Sequence, residues 1–77
     1  MSKYAYHLHK DFKGIPAQDK ETVMDLIEDG PKTTNQISFM TGMDPVYTRN
    51  IVKHLDTIGV VCKIGRRGPS ILWGVKA

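Results

Sequence analysis

The stretch TTNQISFMTGMDPVYTRNIVKHLDTIGVV, Thr33 to Val61, decides how this chain folds. Its punctuation is Gly42 near the middle and Gly59 near the end. Helices commonly stop just before a glycine, because glycine enters the left-handed conformation without steric cost. Thr33-Thr34 supplies a β-branched stub and an N-cap, and residues 35–41 follow as a short helix with Ile37 and Met40 turned inward. After Gly42, Met43 plugs the core from the turn, and Asp44-Pro45 restarts a helix. The carboxylate caps free N–H groups, and proline at the first helical position gives up a donor that has no partner there. This second helix runs to Ile58. Its buried stripe is Ile51, Val52, Leu55 and Ile58, with Thr48 at the edge.

Upstream, Ile15-Pro16 opens and Gly30-Pro31 closes another amphipathic helix. Val23, Leu26 and Ile27 line its inner face, while Asp19, Glu21, Asp25 and Glu28 line the others. Downstream of Gly59 the period changes. Val60 to Ile64 and Ser70 to Val75 are rich in β-branched and aromatic residues, and Gly65-Arg66-Arg67-Gly68-Pro69 between them reads as a turn. The result is a β-hairpin with a basic tip. At the other end, Tyr4, Leu8, Phe12 and Ile15 share one helical face, with Ser2 as cap and Gly14 as stop, although Tyr4, Tyr6 and Leu8 also alternate like a strand. Residues 1–15 are read as an N-terminal helix or arm ahead of a single domain at 16–77.

At 77 residues, with 40% hydrophobic and 25% charged side chains, the composition is that of one small globular domain. Its apolar runs are too short to span a bilayer, and the start lacks the apolar core of a signal peptide. The single cysteine, Cys62, fits a reducing compartment, and a cytoplasmic location is expected. The net charge of +3 is unevenly spread. Residues 1–30 carry four bases and six acids, a sum of −2; residues 31–77 carry seven bases and two acids, a sum of +5. A basic half beside an acidic half fits one surface built for a polyanion, or a chance asymmetry on a solvated surface.

A helix, then two helices about a glycine turn, then a hairpin is the winged form of the helix-turn-helix unit. The residues themselves resemble that family: Thr33-Thr34-Asn35-Gln36-Ile37-Ser38, then Thr41-Gly42-Met43-Asp44-Pro45, then Val52 to Val61 and the basic hairpin. In many winged-helix repressors the third helix ends in a leucine, three residues, a glycine and two apolar residues, and Leu55 to Val61 is similar. The resemblance covers residues 16–76. It implies an α+β fold of three core helices plus a C-terminal hairpin wing. It also implies sequence-specific binding of double-stranded DNA, as in prokaryotic, phage and archaeal transcriptional regulators.

In that setting the first turns of helix 45–58 meet base edges in the major groove. With the stripe buried, a 100° step per residue places Val46, Arg49, Asn50 and Lys53 on the opposite face. Arg49 matches a guanine edge, Asn50 an adenine edge and Val46 a thymine methyl, while Lys53 lies further along, at a phosphate. Tyr47 sits at the margin, either on a phosphate or over the edge of the core. Arg66 and Arg67 at the tip fit a minor groove, or serve to keep edge strands soluble. Lys63 and Lys76 are generic phosphate contacts, and the N–H groups of Thr34, Asn35 and Gln36 can hold another phosphate.

Pro69-Ser70-Ile71-Leu72-Trp73 is similar to the wing of Zα domains, which bind left-handed DNA. That family also needs an asparagine and a tyrosine four apart on the recognition helix, where this chain has Arg49 and Lys53. Trp73 is therefore assigned to wing or core packing. His7, His9, His54 and Cys62 show no paired metal-ligand spacing, so no metal or cofactor is expected. The sequence also lacks a Gly-rich phosphate loop and a nucleophile elbow, which argues against an enzyme. The rival assignment is a winged-helix protein-docking module, with Val46 and Tyr47 facing a protein. RNA is disfavoured because its narrow major groove excludes a helix. A homodimer is expected, with Tyr4, Tyr6, Leu8, Phe12 and Phe39 as seam residues, although these can equally fold back onto their own core.

Overall fold

The computed structural model describes residues 14–76, so almost all of the expected N-terminal helix or arm, with its Tyr4, Tyr6, Leu8 and Phe12, lies outside the described residues. Three helices, α1 (Ala17–Asp29), α2 (Thr34–Thr41) and α3 (Pro45–Thr57), are followed by strands β1 (Val61–Arg67) and β2 (Ser70–Val75). The strands pair antiparallel as one hairpin. Among the described residues the fold is α+β, with three helices and a C-terminal wing.

Each helix boundary has a local cause. α1 begins after Pro16, whose backbone is extended. Beyond its C-terminus, Lys32 Nζ donates to the carbonyls of Leu26 and Gly30, each at 3.1 Å. A cation there satisfies orphan acceptors and opposes the negative end of the helix dipole. α2 is capped by Thr33, so the helix starts one residue earlier than expected. Gln36 N–H donates to Thr33 Oγ1 at 3.1 Å, and Thr33 N–H donates to Gln36 Oε1 at 2.9 Å, a reciprocal capping box. α3 is capped by Asp44, whose Oδ2 accepts from the N–H groups of Val46 and Tyr47.

Val23 and Ile27 of α1, Ile37 of α2, Ile51 and Val52 of α3, and Val61 and Trp73 of the hairpin meet in one core. Two expected core residues are absent from it. Ile58 is 56% exposed: still in right-handed helical conformation, it is the C-cap residue just past the end of α3 at Thr57. Met40 is also exposed: the inward place on α2 is taken by Ser38, whose Oγ donates to the Met43 carbonyl at 2.7 Å. That bond satisfies a buried carbonyl of the turn, which no thioether can do. Conversely, Asp19 was expected on the solvent face of α1 and is only 1% exposed. Its carboxylate accepts from the hydroxyl of Tyr47, a polar link between α1 and the first turns of α3.

The turn between α2 and α3 depends on Gly42, which has φ +76° and donates its N–H to the Ser38 carbonyl at 2.9 Å. Nothing lies within 4 Å of the place a Cβ would occupy, so a side chain there meets only backbone strain. Gly42→Ala should therefore cost about 1–2 kcal/mol. Since ~1 kcal/mol lowers the midpoint of a domain this small by ~4–8 °C, calorimetry should record a fall of several degrees. An unchanged midpoint would show that the turn relaxes to another conformation.

The hairpin is longer than the sequence indicates. The expected turn at residues 65–69 contracts to Gly68-Pro69, and Gly65, Arg66 and Arg67 belong to β1. Gly68 has φ +60°, which begins a two-residue connection matched to the twist of the strands. A register shift between Lys63 and Gly65 absorbs one residue as a bulge. On its other side, β2 pairs with the linker between α1 and α2. Lys32 N–H donates to the Trp73 carbonyl at 3.0 Å, and Trp73 N–H donates to that of Lys32 at 2.9 Å.

Candidate nucleic-acid interface

α3 presents two faces. Tyr47, Thr48, Ile51, Val52 and Leu55 are buried, whereas Val46, Arg49 and Lys53 are exposed and Asn50 is half-buried. Asp44 fixes the start of the helix, and Thr48 Oγ1 donates back to its carbonyl at 3.0 Å. The helix is thus anchored at the end that carries Val46 and Arg49.

Between α3 and the hairpin runs a groove of about 360 Å³. Arg49 and Lys53 approach it from α3, Lys63 from β1, and Thr34 and Asn35 from the start of α2. Trp73 lies at its floor, almost wholly buried. These residues come from four different elements, and the fold brings them to one concave surface. Three bases against one acid, Asp56, make the groove positive. Most of the acids of α1 are elsewhere: Glu21, Asp25 and Glu28 border a separate hollow beside Leu55, Ile58 and Val60.

Not every expected residue joins the groove. Tyr47 is 2% exposed, and its hydroxyl is engaged by Asp19, so it belongs to the core and not to the interface margin. Gln36 is spent locally, because its N–H and its side-chain carbonyl both serve the Thr33 cap. Thr34 and Asn35 remain as the N–H donors of that helix start. Asn50 borders a smaller hollow of about 290 Å³ with Lys53, His54 and Thr57. Only Lys53 borders both.

Arg66 and Arg67 are exposed on β1 beside the tip, paired with Ile71 and Ser70 respectively. Cross-strand partners share a face and successive residues alternate. Arg66 therefore lies on the side of Ile71 and Arg67 on the side of Ser70, and both of those partners border the groove. Ser70 and Asp56 also border the groove, and the sequence did not mark either of them. For Asp56 the available signal was its place one turn beyond Lys53. For Ser70 there was none, since its exposure depends on where the strand turns.

Solved structures share this arrangement. A variant of ZitR from Lactococcus lactis superposes with a TM-score of 0.72 at 15% identity, over 96% of this chain and 56% of that one. A probable transcriptional regulator from Pseudomonas aeruginosa gives 0.66 at 24% identity, over 84% of this chain and 51% of that one. FabT from Streptococcus pneumoniae, solved in complex with DNA, gives 0.67 at 16% identity, over 96% and 53%. The chain spans about half the length of the solved proteins it resembles. At such identities the likeness establishes the fold, a winged helix-turn-helix. No family profile and no curated protein sequence matches the chain.

Proposed function

We propose that this winged helix-turn-helix chain binds double-stranded DNA sequence-specifically and regulates transcription in the cytoplasm. Support comes above all from the convergence of Arg49, Lys53, Lys63, Thr34 and Asn35 on one positive groove. α3 enters the major groove. Arg49 pairs with a guanine edge, Val46 meets a thymine methyl, and Lys53 and Lys63 hold phosphates. Asn50 reads an adenine edge from the flank of the helix. Arg66 and Arg67 reach the adjacent backbone or minor groove from beside the hairpin tip.

One such module buries only about 600–1,000 Å² of protein surface, so a two-fold homodimer reading paired half-sites is part of the proposal. Phe39, 90% exposed on α2, is its available apolar anchor. The docking-module alternative has lost Tyr47 to the core and retains Val46.

Selection of bound fragments from a random duplex library tests affinity and specificity together. A recovered motif with two-fold symmetry supports the dimer, and failure to enrich any motif refutes sequence-specific binding. A salt titration should then show log K falling against log salt with a slope of about 0.9 per phosphate contact. Arg66→Ala and Arg67→Ala should each make that slope shallower by about 0.9. A salt-insensitive complex with a protein, unaffected by both variants, would favour docking.

A further inference from the structure

We infer that the residues preceding Gly14 dock, within the same molecule, into the apolar hollow between α1 and the end of α3. This hollow measures about 440 Å³ and lies apart from the positive groove. Ala17, Met24, Leu55, Ile58 and Val60 form its apolar walls. Among them Ile58 and Val60 are large hydrophobic residues left exposed, in a chain too small to spare apolar area.

Chemistry, reach and charge all select residues 1–13 as the occupant. Tyr4, Leu8 and Phe12 recur every fourth residue and supply apolar side chains that match the walls. The segment also joins the fold in the right place: Ile15 is anchored in the core, and Ala17, just beyond it, lines the hollow. From Ala17 to Glu28 the hollow follows α1 for about 16 Å, at ~1.5 Å per residue. Thirteen residues span ~20 Å as a helix and about twice that when extended, so either conformation reaches the far end. Lys3, Lys10 and Lys13 against Asp11 give the segment a charge of +2. Lys20 against Glu21, Asp25 and Glu28 gives the walls −2. A short tether holds the segment at an effective concentration in the millimolar range, above that of a second copy in dilute solution. The same molecule therefore wins.

The test uses the full chain with Cys62→Ser, which removes the only cysteine, and His9→Cys carrying a nitroxide spin label. Amide signals should broaden most steeply at Met24, Leu55, Ile58 and Val60, and least at Phe39 and Arg67. Broadening that is uniform, or steepest on another face, overturns the proposal. A mixture of unlabelled ¹⁵N protein with spin-labelled ¹⁴N protein distinguishes the source. Broadening of the same residues in that mixture means that a second copy supplies the segment, which overturns docking within one molecule. A thermal double-mutant cycle gives an independent measure. Phe12→Ala and Ile58→Ala should each lower the midpoint, and together they should lower it by less than the sum. A strictly additive loss counts against contact.

Discussion

Arg49→Ala should weaken binding to the selected duplex by roughly 5- to 150-fold, equivalent to about 1–3 kcal/mol, and should relax specificity at one base pair. The size of the effect comes from the geometry of the guanidinium, whose fork presents two donors to the O6 and N7 atoms of guanine. Arg49 lies on the exposed face of α3, lines the positive groove and has no place in the core, so the fold should tolerate its truncation. Arg49→Lys keeps the charge and loses the fork. It should therefore retain most of the non-specific affinity while discriminating poorly. Lys53→Ala should behave differently, weakening all duplexes alike and reducing the salt slope by about 0.9. If Arg49→Ala lowered affinity equally for every sequence, Arg49 would be a phosphate contact and the base-reading role would move elsewhere on α3. Binding isotherms on the selected site and a scrambled duplex separate these outcomes.

Trp73→Ala should be the most damaging single change to stability, costing about 3–5 kcal/mol. Trp73 is 5% exposed, packs in the core between the helices and the hairpin, and lines the floor of the positive groove. Whole domains are stable by only about 5–15 kcal/mol, and small ones lie near the lower end. The variant should therefore be largely unfolded at temperatures where the parent is native. Trp73→Phe keeps a ring in the same place and should recover a large part of the loss. Urea titration followed by circular dichroism measures both. A small loss in Trp73→Ala would mean that the hairpin is held by its backbone pairing alone. DNA affinity should be compared only where the variant is folded, so that lost binding is not confused with lost structure.

Much of this architecture was legible in local chemistry. Gly42, Asp44-Pro45 and Gly59 mark the turn, the cap and the stop of α3, and each acts through backbone preferences that need no distant partner. The groove-facing positions Arg49 and Lys53 followed from the same periodicity. What escaped was non-local or cooperative. Asp19 reads as a surface acid because its partner Tyr47 is 28 residues away on another helix. The same contact decides between the two readings of Tyr47 in favour of the core. Arg66 and Arg67 read as turn because glycine and charge cluster there. Yet a bulge after Lys63 and a two-residue closure at Gly68-Pro69 let the strand continue through them. The start of α2 was legible in principle, since Thr33 and Gln36 have the spacing of a capping box, which makes Thr33 the cap and Thr34 the first helical residue.

If the chain reads duplex DNA as proposed, the paired backbone bonds between Lys32 and Trp73 bear on how a duplex is sampled. They stitch β2 of the wing to the linker that leads into α2. Helix and ribbon are consequently set at a fixed span before any duplex arrives, like the jaws of a caliper. A site whose dimensions do not match that gauge must itself bend or change its groove width. Part of the sequence preference is then set by the stiffness of base pairs that no side chain touches.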